Sequence, residues 1–532
     1  MSLTPYSGAW GRPQALHLLR RATFGASRTD IAYFAGLSVT QAVNELLAIP
    51  SAAPAPPVND YTYNGANPDA TVPYGSTWVN AVYDSNVNYA RLQSLRGWWV
   101  GLMINENRSI VEKMTLFLHN LLPINIGGAV GHQHYCYEYV ALLRSYALGN
   151  YKNLVRDITI DRGMLDYLDG NTNTATAPNE NYARELQELF TIGKDLPSYY
   201  TQSDVEAAAK VLTGWRLVGS TANSFGPAYS RYYDPAKHNT TNKTFSSFYN
   251  NTVITGQTGA TGGQIEIDAL MDMIFANNEV ANYIVRKIYR FFVYYNIDAT
   301  IESTIIQPLA TTFRNSGYDL KAVMLELLNS QHFYDINEVA CIIKSPIEFT
   351  VNVARATNMV FPAATDPYNL YRGWRVFYDK ANSAQMQLGS PPNVAGWAAW
   401  GQGPNYHELW ITADTLRNRK LFIDTISNGG GYNSNTIRID LFGFTASLTA
   451  PGDPNILIDE LFELFHPLEP DATLTQSLKQ ATLLSNQLDD NYWTIAWNNY
   501  ISNPTTANVN TVKTRLKDLY TAILNMAEGH LV

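Results

Sequence analysis

The sequence predicts a mainly α fold: one large multi-helical body with long loops and at most a small β-hairpin. Three observations lead there. Apolar residues recur at helical spacing in one stretch after another, whereas strand-like alternation is scarce. The chain is also long and apolar enough, at 532 residues and 46% hydrophobic, to bury a large core.

The elements follow in chain order. "SVTQAVNELL" (38–47) opens with Ser38 and Gln41 at capping-box spacing and puts Ala42, Val43, Leu46 and Leu47 on one face. "SIVEKMTLFLHNLL" (109–122) repeats the pattern, with Ser109 expected to cap and Glu112 to answer it. Helical period returns at 135–148, 179–192, 201–213, 266–276, 279–295, 318–331, 344–358, 407–426, 455–466 and 507–527. The best strand candidate is a hairpin within "WRLVGSTANSFGPAYSRYY" (215–233), whose Gly and Asn residues can turn it. Loops fall at 50–76, 169–178, 234–263, 388–406 and 427–437. The last holds "NGGGYNSN", composed like a flexible linker, and divides a main helical body (1–427) from a C-terminal helical subdomain packed on it (438–532). No repeat of solenoid period is visible.

Composition narrows the partners. Charged residues make up 16%, against about 25% in an average soluble protein. Tyr (34) and Trp (11), with many Asn and Thr, fill the polar surface instead. Such a surface suits neutral, hydroxyl-rich partners such as carbohydrate, but the habit of an exported bacterial protein is the better explanation of it. Net charge is −9 with no long basic run, which disfavours nucleic acid and anionic membranes. Cys136 and Cys341 lie far apart and form neither a metal-binding pair nor a disulfide framework, so two free thiols are expected. No apolar run approaches the ~20 residues of a membrane-spanning helix. The opening "MSLTPYSGAW" has neither the charged nor the apolar region of a signal peptide.

"NENYARELQEL" (179–189) crowds charge into a chain that has little. Each helical residue turns the direction by 100°, so Tyr182, Ala183, Leu186, Leu189 and Phe190 share one side. Asn181, Arg184, Glu185 and Glu188 share the other. Glu180 to Arg184 and Arg184 to Glu188 also have ion-pair spacing, which favours a solvated face. A second polar stripe joins Glu112, Thr115 and His119; a carboxylate two turns from an imidazole can serve as an acid–base pair or as half a metal site. His132 and His134, two apart, cannot share a helical face, so common ligation would need a loop or strand. His238 and Lys243 sit in a polar loop, where function is more common than in a core. "SPPNVAGWAAWGQGPNYHELW" (390–410) reads as a rigid aromatic-walled loop lining a pocket, or as a lid on the core. Nucleotide-binding, serine-hydrolase, common zinc-protease and EF-hand signatures are missing. No metal site and no cofactor is assigned by the residues.

These pieces, in this order, resemble the large bacterial family of unknown function DUF1800. "HLLRRATFGAS" (17–27) resembles its N-terminal signature, "EKMTLFLHNLL" (112–122) its Trp-His-Asn-His helix, and "LDG" (168–170) with "NENYARELQELFTIG" (179–193) its best-known motif. "YTQSDVEAAAKVLTGW" (200–215), "HNTTNKTF" (238–245), "IKSPIEFTVNVARA" (343–356) and "MQLGSPPNVAGW" (386–397) complete the set. The resemblance implies a mostly helical fold and an exported protein, periplasmic or extracellular, often encoded beside a member of another uncharacterised family related to phosphatases and sulfatases. It implies no established reaction. Positions matching the family's polar motifs are His119, Asn120, Asn179, Glu180, Asn181, Arg184, Glu185, Glu188, His238, Lys243 and Asn393. The chain departs from the pattern at Leu121, where a second His is usual, at Phe190, where many members have His, and at Asn239, which replaces Asp.

Two classes of function remain open. In the first, an enzyme of hydrolase or lyase type acts on a hydroxyl-rich polymer: Glu185 and Glu188 face His119, Arg184 holds one carboxylate ionised, and the other gives a proton. Carboxylates three residues apart on one helix sit too close for opposed glycosidase groups, which are about 5–9.5 Å apart. In the second, a cell-surface binding or assembly protein uses Asn120, Asn179, Glu180, Asn181, His238, Lys243, Asn393 and Trp397 in polar networks and contact surfaces, with carbohydrate or a surface protein as partner. The apolar and neutral replacements at 121, 190 and 239 favour the second.

Overall fold

A computed structural model describes residues 2–194, 199–217, 231–428 and 437–532. The fold is mainly helical (56%), and among the described residues the strands form two small antiparallel pairs. In the first pair, β1 (Trp215–Leu217) meets β2 (Arg231–Tyr233) with Trp215 opposite Tyr233, where the hairpin was expected. The residues between them, 218–230, lie outside those described. The second pair, β3 (Lys243–Thr244) and β4 (Val253–Ile254), falls in a stretch read as loop. Strands of two residues are too short to show alternation.

The labelled helices are α1 (Arg12–Ala22), α2 (Asn88–Asn105), α3 (Val111–Leu121), α4 (Gln133–Ser145), α5 (Asn181–Glu188), α6 (Gln202–Val211), α7 (Gly262–Phe275) and α8 (Asn278–Phe292). They continue with α9 (Pro346–Ala356), α10 (Pro367–Ser383), α11 (Ala413–Asn428), α12 (Pro454–Phe465) and α13 (Thr506–Leu524). The capping box of Ser38 and Gln41 forms as its spacing requires, and Ser345 with Glu348 makes another at α9. The box expected from Ser109 and Glu112 does not form. Ile110 occupies the N-cap position of α3 without a capping side chain, the Glu112 amide donates to Glu106 at 2.7 Å, and the Glu112 carboxylate turns to Arg144 at 2.5 Å.

Helix α2 escaped the sequence reading because it has no single apolar stripe: Leu92, Leu95, Trp98, Trp99, Val100 and Met103 are all buried. It packs along α10, and glycine sets the approach. A Cβ at Gly101 would stand 2.5 Å from the Trp374 ring, and one at Gly97 would stand 3.1 Å from the Tyr371 carbonyl oxygen. The two glycines that weaken the helical signal are therefore what lets these helices touch.

One apolar cluster extends from Ala15 to Leu524, so the C-terminal helices continue the core of the preceding body. Arg12 pairs with Glu463 at 2.6 Å and Arg28 with Glu460 at 2.8 Å, tying the N-terminal helices to α12. The "NGGGYNSN" stretch lies outside the described residues apart from its first Asn. Cys136 is buried, Cys341 partly so, and both are free. Among the described residues no helix is long and apolar enough to cross a membrane.

The chain is poor in charge, yet some of its charge is placed fully inside. Arg91 and Asp69, both wholly inaccessible, pair at 2.7 Å. Asp69 Oδ1 also accepts from the Thr71 and Val72 amides, and its Oδ2 from the Tyr61 hydroxyl, so one carboxylate organises the loop that crosses α2. Removing one partner of such a pair leaves a buried charge uncompensated. Asp69→Ala is expected to cost about 3–5 kcal/mol, read as a lowered urea midpoint at unchanged slope.

Candidate functional site

The charged stretch at 179–189 is answered by burial. Tyr182, Ala183, Leu186 and Phe190 are buried, while Asn181, Arg184, Glu185 and Glu188 line the outer side of α5. Asn179 shapes the turn that leads into the helix, its Oδ1 accepting from the Asn181 amide at 2.9 Å, while Glu180 stands at the N-cap. Arg184 pairs with Glu180 at 3.0 Å, and the Gln202 side chain bonds both, linking α5 to α6. Glu188 pairs with Lys194 at 3.1 Å rather than with Arg184. Burial, reinforced by Glu188, pushes the Glu185 carboxyl above its ordinary value; Arg184 and Lys194 oppose this without reversing it.

His119 does not meet these acids. Its ring is sealed by Trp99, Tyr139 and Trp397, whose centroids lie 5.3, 5.7 and 5.5 Å away and which all stand edge-on. The Tyr139 hydroxyl donates to the Leu122 carbonyl, so it accepts from His119 Nδ1 at 2.7 Å; Nε2, without a partner, is the bare nitrogen. Burial lowers the imidazole pKa to about 3, which keeps it neutral. Described contacts join His119 to neither Glu185 nor Glu188, so the expected imidazole–carboxylate pair is not formed. One residue along α3 the direction changes: Asn120 faces the loop at 388–402. Its Oδ1 accepts the Trp397 amide at 2.8 Å, and Gly396, at φ +81°, lies so close that a Cβ would stand 2.3 Å from the Asn120 carbonyl oxygen. Asn393 shapes the preceding turn, its side chain accepting from the Ala395 amide at 2.8 Å.

Beside this junction opens a cleft of about 380 Å³, walled by the ends of α3 and α5, by α8 and by the 395–402 loop. Asn120 and Glu188 are the two motif residues that reach it. The other walls carry Tyr283, Lys287 and Arg290 from α8, with Trp400 and Gln402 from the loop. Arg286 is held between Glu302, at 2.7 Å, and Glu279. Burial would raise the Glu302 carboxyl, but hydrogen bonds from Arg286 and Gln307 hold it below its ordinary value. Lys287 lies 5.2 Å from the centre of the Tyr283 ring, and Arg290 lies 5.7 Å from that of Tyr406. Four cations (Lys194, Arg286, Lys287, Arg290) thus face three carboxylates (Glu188, Glu279, Glu302) in one polar cleft with an aromatic wall. The spacing of Tyr283, Lys287 and Arg290 along "NEVANYIVRKIYRFF" is one helical stripe, a signal present in the sequence but passed over.

His238 and Lys243 come together elsewhere, and on a residue that sequence reasoning missed. Glu266 of α7 accepts from His238 Nε2 at 2.9 Å and from Lys243 Nζ at 2.5 Å, and all three side chains are inaccessible. Burial lowers the Lys243 pKa, and Glu266 counters it. The Gln257 amide also donates to Glu266, completing a sealed network that holds the 234–263 stretch on α7. His132 caps α4 and stacks on Tyr135 at 4.2 Å. Among the described residues no group of three or more His, Cys, Asp or Glu side chains is placed to hold a metal ion.

The family described as "Protein of unknown function (DUF1800)" matches residues 17–521, and the chain belongs to it. No curated protein and no solved structure matches.

Two outcomes follow from this geometry. Asn120→Ala leaves the buried Trp397 amide without an acceptor, which costs about 1–3 kcal/mol; as the loop loosens, the His119 titration followed by NMR moves up from about 3. Glu106, its Oε2 shielded and unpartnered, is held well above its ordinary value of 4.5 by burial and by Glu112. A carboxyl whose folded-state value is raised takes up a proton on folding, so stability falls as pH rises through the window above 4.5. Glu106→Gln is therefore more stable than the wild type at pH 8, and thermal unfolding shows the difference shrinking as the pH is lowered toward the ordinary glutamate value.

Proposed function

We propose that this protein is a binding or assembly component of the bacterial cell surface, and that the cleft between α5, α8 and the 395–402 loop holds a small polar ligand. The carrying observation is the separation of His119 from the acids: a neutral, sealed imidazole cannot exchange protons with a substrate that reaches Glu185 or Glu188. What remains accessible is suited to recognition. Tyr283 offers flat surface, with the largely buried Trp400 also in the lining; Asn120 and Gln402 offer amides, and the cations exceed the carboxylates by one (four against three). That balance fits a hydroxyl-bearing ligand with a single acid group, such as a uronic acid.

One observation supports a second reading, an enzyme acting on a hydroxyl-rich polymer: Glu185, its carboxyl raised beside Glu188, is suited to give up a proton. Calorimetric titration with glucuronate and glucose, and a turnover screen on polysaccharides, separate the two. Binding of glucuronate in preference to glucose, weakened about tenfold or more by Lys287→Ala or Trp400→Ala and accompanied by no turnover, is the expected result. Turnover that disappears in Glu185→Gln would replace the binding reading with the enzymatic one.

A further inference from the structure

A second cleft, of about 1120 Å³, lies where the 59–77 loop meets the start of α10. Its walls are tyrosine. Tyr63 and Tyr74 are 56% and 42% exposed, high values for aromatic rings that sit in one depression. The Tyr63 ring stands 4.9 Å from that of Tyr368 at 31°, and the Arg372 guanidinium lies 4.1 Å from the centre of Tyr368. Around the rings are the Asn64 and Asn369 amides, with Asp366 the one charged residue of the lining.

The cleft is built in advance of any ligand. On one side, Asn59 and Asn67 both donate to the Val72 carbonyl, and the Arg91–Asp69 pair anchors the same loop in the core. On the other, Asp366 caps α10 and accepts from Asn369 at 2.6 Å. The Tyr74 hydroxyl bridges the sides: it accepts the Tyr368 amide at 3.2 Å and donates to Asp366 at 3.4 Å. Fixed rings lose little freedom when something stacks on them.

The chemistry of the lining selects the occupant. Three tyrosines stand among Thr, Asn, Gly and Pro, with no Leu, Ile, Val, Met or Phe, so ring stacking and hydrogen bonds are what the lining offers an occupant. The lining holds one carboxylate and no cation, and the neighbouring Arg372 guanidinium is engaged on the Tyr368 ring, so the cleft suits neutral hydroxyls better than an anion. A pyranose ring has an apolar C–H face and a rim of hydroxyls, which matches exposed aromatic faces edged by amides. We infer that the tyrosine cleft formed by Tyr63, Tyr74 and Tyr368 is a binding site for neutral saccharide, separate from the charged cleft at α8.

The test uses the full chain with hexasaccharides of β-1,4-glucose, β-1,4-N-acetylglucosamine and β-1,4-mannose, followed by calorimetry and tyrosine fluorescence. At least one is expected to bind, with affinity reduced tenfold or more in Tyr63→Ala and retained within about threefold in Tyr63→Phe. Trp400→Ala, in the other cleft, is expected to leave it unchanged; circular dichroism confirms that each variant is folded. Failure of all three sugars to bind overturns the inference. So does binding that survives in Tyr63→Ala or is lost in Trp400→Ala, and so does concentration-dependent self-association abolished by Tyr63→Ala, which would make this face a protein contact. Because these probes carry no charge, their outcome is independent of glucuronate binding at α8.

Discussion

The hydrogen bond from the Trp397 amide to the Asn120 side chain is the joint on which the central region depends. It fastens the 388–402 loop to the end of α3, and two results follow from the same contact. Trp397 closes over His119, and Trp400 and Gln402 are carried to the wall of the neighbouring cleft. Gly396 makes the contact possible, since a side chain there would collide with the Asn120 backbone. Motif residues that look catalytic in a linear reading thus divide their labour. Asn120 builds, His119 fills, and the accessible chemistry is left to neighbours on α8.

The family's polar residues are used in the same way elsewhere. His238 and Lys243 saturate Glu266 inside the protein, and Asn179 holds the turn before a helix. Arg184 and Glu180 bind two helices together through Gln202. A short motif rich in Asn, Arg and Glu is a strong cue for a constrained position, because a buried or capping polar group tolerates few replacements. It is a weak cue for chemistry, which needs access as well as reactivity.

Much of the fold was visible in the sequence wherever local rules decide it. The Ser38 capping box and the amphipathic split of α5 depend on residues a few positions apart, and the strand pair at Trp215 on residues within one short stretch. Long-range packing was not visible. Helix α2 is buried on several faces and carries Gly97 and Gly101, so period and propensity both understate it. Glu266, the centre of the buried network, is far in the chain from His238 and sits in an ordinary helical pattern. For the cleft at α8, Asn120 and Glu188 were singled out, whereas Tyr283, Lys287 and Arg290 lay unremarked within the helical period at 279–295. Which polar stripe opens onto a cavity and which onto bulk water is set by neighbouring elements that the stripe itself does not encode.

The walls of the α8 cleft come from four stretches spread between Phe117 and Gln402. No contiguous fragment holds them, so the cavity exists only when distant regions are assembled at once. Occupancy is then thermodynamically linked to cooperative unfolding of the entire body: a cognate molecule raises the melting temperature in proportion to the logarithm of its concentration over its dissociation constant. Thermal-shift profiling against a metabolite library can thereby identify the occupant without any assumption about a reaction.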